Sequence, residues 1–285
     1  MRLVLALVLA ALWAQPVHAA TAGIPGLERV VGYSTIDSAQ TKSARADCPF
    51  GKVVIGAGGG LSAVNPHLVL NGIKVSDTLR HVEAGGWEDE NGTTANWMAF
   101  ATAICADPLP GLEKVTVRSP YDSKPVKTLS TGCPDGKEIL SVGWEIDSAP
   151  SQAWLSWLSV YEGRPAYGIR SRAFMSASED QTGYDLDWWI HLHLLCAFPP
   201  PGLDWVRTGG LPDSTPYKTV EPVCPQGKRV IGVAGTMETD GARSQLGIRQ
   251  LEVGSSRSAF VTASEDHDGT TDIWQLVGQA ACVDT

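Results

Sequence analysis

His191 and His193 lie two residues apart in the run from Asp187 to Cys196, with tryptophans at 188 and 189. On a β-strand successive side chains alternate in direction, so Asp187, Trp189, His191 and His193 are expected to project on one side. Two imidazoles at that spacing can share a metal ion, and neutral imidazole suits zinc or copper. With Asp185 and Asp187 the same histidines could instead serve as acids and bases for cleaving a polysaccharide. A plain polar strand face is the simpler reading, and no cofactor is expected.

Carboxylates also come in adjacent pairs, Glu88-Asp89, Glu179-Asp180 and Glu265-Asp266. Paired carboxylates invite glycosidase chemistry. Adjacent strand residues face opposite ways, however, so such a pair cannot easily flank one substrate. Asp89-x-Asn91-Gly92 and Asp266-x-Asp268-Gly269 hold part of a calcium loop without its later ligands or closing glutamate. A turn explains them better.

Aromatic residues form the third set. Trp144, Trp154, Trp157, Trp188 and Trp189, with Tyr161, Tyr167 and Tyr184, crowd into the middle of the chain. Trp157, Ser159 and Tyr161 share a strand face and make a flat strip suited to stacking on sugar rings. Trp154, Trp157, Tyr161 and Trp189 are therefore the candidate ligand-binding residues. The competing role is a contact between structural units. No nucleophile elbow, H-E-x-x-H helix or phosphate-binding loop is present; Gly58-Gly59-Gly60 lacks the spacing and the lysine.

What must position these residues is a pattern written three times. Pro25-Gly26-Leu27-Glu28-x-Val30 recurs as Pro110 to Val115 and, with Asp204 for the glutamate, as Pro201 to Val206. Cys48, Cys133 and Cys224 each follow at the same distance and open a C-P-x-G-K turn. An E-D-x-x-G block then ends at a tryptophan (Trp97, Trp188, Trp274) and a cysteine (Cys105, Cys196, Cys282). Repeats fall at 21–107, 108–198 and 199–285. At the places held by Trp189, His191 and His193 the other copies carry Met98, Phe100 and Thr102, or Gln275, Val277 and Gln279. Because the recurring residues suffice to build the fold, residues found in one copy are the better functional candidates.

Turn residues at matching points and alternating apolar runs, without a sustained helical period, predict an all-β protein with about six short strands per repeat. The expected arrangement is three tandem disulfide-stapled β repeats, packed with pseudo-threefold symmetry as a β-prism or as small β-sandwich units. C-P-x-G is expected to place proline second and glycine fourth in a turn. The Asn91-Gly92, Thr182-Gly183 and Asp268-Gly269 pairs are expected to close hairpins.

Arg2, an apolar run from Leu3 to Trp13 and the exit Val17-His18-Ala19 describe a secretory signal peptide over 1–20, too short for a membrane span. The protein is expected to be secreted, or periplasmic in a cell with an outer membrane. The formal charge is −9, and losing Arg2 with the leader makes it one unit more negative. That charge disfavours nucleic-acid binding. Six cysteines in an oxidising compartment predict disulfides. Two pairings keep the copies equivalent. The preferred one is within repeats, Cys48–Cys105, Cys133–Cys196 and Cys224–Cys282; the other links successive repeats.

The P-G-L-E-x-V, C-P-x-G-K and W-x7-C-A pattern resembles a repeat of uncharacterised secreted bacterial proteins, over nearly the whole mature chain. Threefold repetition in a secreted β protein is similar to β-prism folds such as jacalin-like lectins and the vitelline membrane outer layer protein I fold. That resemblance implies carbohydrate binding, although these repeats are longer than one four-stranded prism sheet requires. The leading expectation is a secreted, non-enzymatic protein that binds an extracellular or cell-surface glycan. An extracellular hydrolase or lyase using Asp185, Asp187, His191 and His193 is the alternative, and a structural surface-coat protein the third.

Overall fold

The computed structural model describes residues 23–62, 65–148, 151–163, 171–241, 243–254 and 256–285. The leader expected over 1–20 and Tyr167 lie outside them. Each repeat supplies six strands. The first gives β1 (Glu28–Tyr33), β2 (Thr41–Asp47), β3 (Val53–Leu61), β4 (Leu68–Val75), β5 (His81–Glu88) and β6 (Ala99–Ala106). The second gives β7 (Glu113–Arg118), β8 (Val126–Gly132), β9 (Glu138–Asp147), β10 (Ala153–Tyr161), β11 (Arg172–Glu179) and β12 (Trp189–Ala197). From the third come β13 (Asp204–Gly209), β14 (Tyr217–Val220), β15 (Lys228–Thr239), β16 (Leu246–Val253), β17 (Ala259–Glu265) and β18 (Trp274–Asp284). Among the described residues the only helical element is a single 3-10 turn at Arg243–Gln245, and no helix is long and apolar enough to cross a membrane.

The eighteen strands form three antiparallel sheets of six, and no sheet belongs to one repeat. Their orders are β1-β6-β3-β16-β17-β14, β2-β5-β4-β9-β12-β7 and β13-β18-β15-β10-β11-β8. Every repeat sends its first, third and sixth strands to one sheet and its second, fourth and fifth to the next. Its two half-sheets pack face to face as a small sandwich, as β1 does on β2 and β3 on β5. The inner edges then continue into the neighbours through short seams: β3 with β16 at Gly59 and Gly60, β4 with β9 at Gly72 and Ile73, and β10 with β15 at Trp157 and Leu158. Three sandwiches joined in this cyclic way close a three-sided body. Each repeat therefore supplies two half-sheets of three strands and not a single sheet, which accounts for its length.

Equivalent strands meet around the central axis: β3, β9 and β15 pack on one another, as do β4, β10 and β16. The approach is close enough to dictate residue type. A Cβ on Gly56 would fall 1.8 Å from the Ile231 carbonyl oxygen, and one on Gly232 2.5 Å from that of Leu140. Both glycines occur where the ladder of β3 or β15 shifts register, and a bulge that turns the backbone toward a neighbour needs such a residue. The third equivalent is Ser141, whose hydroxyl accepts a bond from the Ala57 amide (3.0 Å).

The disulfides are Cys48–Cys105, Cys133–Cys196 and Cys224–Cys282, each within a repeat. Two local expectations need correcting. The C-P-x-G-K turn starts one residue later, closed by Lys52, Lys137 and Lys228 amides on the carbonyls of Pro49, Pro134 and Pro225. Glycine thus takes the third turn position with φ between 77° and 86°, where a side chain would be strained. The Asn91-Gly92, Thr182-Gly183 and Asp268-Gly269 pairs do turn the chain with positive-φ glycine, but they close no hairpin. The strands on either side, such as β5 and β6, belong to different sheets, so each pair lies in a crossover.

Candidate functional site

The residues that recur three times are occupied in holding the fold. Lys42, Lys127 and Lys218 are buried, pair with Asp37, Asp122 and Asp213, and place their ammonium groups 4.5–5.2 Å from the ring centres of Trp97, Trp188 and Trp274. In the first two repeats the indole N–H donates to Glu88 or Glu179 (3.3 and 2.8 Å). The adjacent aspartate turns the other way and accepts the amides of the turn, as Asp89 does from Asn91 and Gly92. Glu88 and Asp89 thus serve separate partners. Finally, Lys52 and Lys137 pair with Glu28 and Glu113, which ties C-P-x-G-K to P-G-L-E.

Residues particular to one copy gather in three places. The first is the outer face of the sheet built from β10, β11 and β8 with β15, β18 and β13. Trp157, Ser159 and Tyr161 share one face of β10, and Trp157 donates its indole N–H to Ser159 (2.6 Å). Trp157 is half-buried with the Arg243 guanidinium 5.2 Å from its ring; Tyr161 is 47% exposed and meets Phe174 edge-on at 5.3 Å. Across the seam, Trp205 and Arg207 of β13 complete a recess of about 200 Å3 floored by Thr236 and Gln279. Glu162 lies at its end, accepts the Trp205 amide (2.8 Å), and has its pKa raised by burial. Sequence reasoning missed Trp205. It stands where the other copies have Arg29 and Lys114, both of which reach across a seam, to the carbonyls of Val253 and Val75. That departure was a readable signal, but only to a reader who knew the position faced a neighbouring repeat.

The second place is the outer face of the sheet containing β9 and β12. His191 and His193 project there with Trp189, which is half-buried between Tyr121 (4.9 Å) and the Arg118 guanidinium (4.7 Å). Asp185 and Asp187 do not join them. Strand β12 begins at Trp189, and both aspartates are exposed in the preceding loop, so the expected placement of Asp187 on the strand is corrected. The carboxylate facing His191 comes instead from Glu145, its partner across the β9–β12 ladder. A Glu145 oxygen and one ring nitrogen from each histidine lie within 4.8 Å of one another.

The third place is one end of the axis. Trp154, expected to bind ligand, is 2% exposed and fills this end as core. Its ring lies over Gly247, where a Cβ would come within 2.3 Å of it, while the Arg249 guanidinium stacks 4.3 Å from its centre. Val69 occupies the remaining equivalent position. Three bulky side chains cannot share one axis, so a single tryptophan takes it. Arg249 is 2% exposed and donates to Ser264 and to the Pro66 and Glu265 carbonyls; desolvation brings its pKa down to about 9. At the rim, the buried Asp89 accepts from His67 (2.9 Å) and faces His267 of the third repeat at 3.6 Å, with the two imidazoles stacked at 5.3 Å. These residues are far apart in sequence, so no reading of one repeat could pair them.

In comparisons with known proteins, no family model and no curated protein matches this chain.

Proposed function

We propose that the protein is a secreted, non-enzymatic binder of an extracellular glycan, with the ligand seated in the recess between β10 and β13. The observation that carries this reading is the convergence of Trp157, Tyr161 and Trp205 around one recess, on one face of three. At the matching register the other two sheets carry Gly72 and Lys74, or Gln250 and Glu252, in place of Trp157 and Ser159. A pyranose offers an apolar C–H face that packs on an aromatic ring, with hydroxyls at its edge. Arg207, Glu162 and Ser159 supply donors and acceptors beside the rings, the usual division of labour in a ligand site. The disulfides fit an oxidising compartment, and the leader supports export. The acidic surface steers the choice of ligand away from nucleic acids.

A glycan array followed by tryptophan-fluorescence titration tests the reading. A bound oligosaccharide should lose at least about tenfold in affinity with Trp157→Ala or Trp205→Ala, since stacked aromatics carry interface energy of that order. Glu145→Gln, on another face and in contact with solvent, should leave it unchanged. If no glycan binds, or binding is indifferent to both tryptophans, the reading fails.

A further inference from the structure

We infer that Glu145, His191 and His193 form a binding site for a divalent transition metal, of which Zn2+ is the type, on the outer face of the β9–β12 sheet. The site is built on two paired strands. Glu145 stands directly across the ladder from His191, and His193 follows one pleat along. Glu145 Oε2 lies 3.7 Å from His191 Nδ1. In a tetrahedral zinc site with bonds of about 2.0–2.1 Å, neighbouring ligand atoms stand roughly 3.3 Å apart. The three ligand atoms lie within 4.8 Å of one another, so side-chain rotation is what would draw the set in to that spacing around an ion.

The state of the two imidazoles supports the inference independently of their spacing. His193 is only 3% exposed, and its Nδ1 is held by the Thr116 hydroxyl (3.0 Å). Its Nε2 is buried without a hydrogen-bond partner among the described residues, as is that of His191. Buried polar atoms are ordinarily satisfied. At the equivalent positions Gln279 bonds both the amide and the carbonyl of Val160 (2.9 and 2.7 Å), whereas the Thr102 hydroxyl, a far weaker metal ligand than an imidazole, is also without a partner among the described residues. His193 has one nitrogen oriented by a hydroxyl and one left over, which is how metal-bound histidines are arranged.

Two histidines and a carboxylate leave at least one coordination position open. The side chains of Glu145 and His191 keep 27% and 21% exposure, so that position faces solvent and suits water or an anionic oxygen. Three cations surround the site. Lys114 is engaged by the Val75 carbonyl and Asp77, and Arg118 lies against Trp189. Lys74 pairs with Glu145 at 3.2 Å, but its side chain is 44% exposed and can turn to solvent when an ion takes the carboxylate.

The test uses the full mature chain, treated with a chelator, dialysed and titrated with ZnCl2 by calorimetry. Co2+ absorption reports on the ligands. The expected result is one Zn2+ per chain, weakened at least about 100-fold by Glu145→Gln or His191→Ala and about tenfold by Thr116→Val. His67→Ala and His267→Ala should leave it intact. Glu145 and His191 both touch solvent, so their variants keep the test decisive if His193→Gln fails to fold. Absence of saturable Zn2+ binding overturns the inference. So does binding that survives Glu145→Gln and His191→Ala together, or binding lost with His67→Ala or His267→Ala, which would assign the ion to the axis end. The glycan reading concerns another sheet, so either can fail alone.

Discussion

Trp154 shows how a single position can change role with its surroundings. On its own strand it alternates like its neighbours, and an aromatic in the copy richest in tryptophan suggests a ligand platform. Around the axis, however, the equivalent positions are Val69 and Gly247, and the indole uses the space the glycine leaves. Removing it would open a cavity beside the fully buried Arg249, which loses its stacking partner. Trp154→Ala is expected to cost about 3–5 kcal/mol in urea unfolding and to leave ligand binding at the exposed aromatics unchanged. A loss under 1 kcal/mol would mean that the axis is not packed as described. Trp157, three residues on, keeps one side open and remains the candidate that the sequence identified.

At the scale of elements, the notable devices are the crossovers that carry the chain from one sheet to another. In each repeat the crossover from the first strand to the second is pinned by one buried lysine between an aspartate and a tryptophan. Lysine hydrogen bonding, the largest influence, pulls Asp37 and Asp213 down to about 2 and lowers Asp122 as well. A carboxylate with a folded pKa below its unfolded value contributes stability that is present above about pH 4 and lost as pH falls through the folded value. Acid unfolding is therefore expected to concentrate between about pH 4 and 2. The triple variant Asp37→Asn, Asp122→Asn, Asp213→Asn should be less stable at pH 7 and have a flatter profile of urea midpoint against pH. An unchanged slope would remove these pairs from the account. The recurring Asp, Lys and Trp were legible in the sequence as fold residues, because triplication marks what every copy needs. That the lysine sits buried over the indole was not legible, since the three residues meet only when the crossover folds.

For the whole molecule, the distribution of strands makes the repeats interdependent. A single repeat would expose the inner edges of β3 and β4 together with the apolar side chains that face the axis. Its disulfide closes a loop of 57 residues and contributes about 2–4 kcal/mol, too little to replace two neighbours. A chain of residues 21–107 alone is expected to lack a cooperative thermal transition by circular dichroism, or to associate through those edges on size-exclusion chromatography. A monomeric fragment that melts cooperatively would show that the repeats are separate domains.

By itself the sequence determined the triplication, the six-stranded β character of each copy, the turns that punctuate it and a preferred pairing of cysteines. These properties repeat with the chain or follow from neighbours within a few residues, so they are written locally. Tertiary structure alone decided which strands share a sheet, because alternation states that a strand has an apolar face and not which sheet will cover it. The same ambiguity hid Glu145 from His191 and His193, and Trp205 from Trp157. It also left Trp154 looking like a surface residue, since only closure around a common axis tells three equivalent side chains that there is room for one.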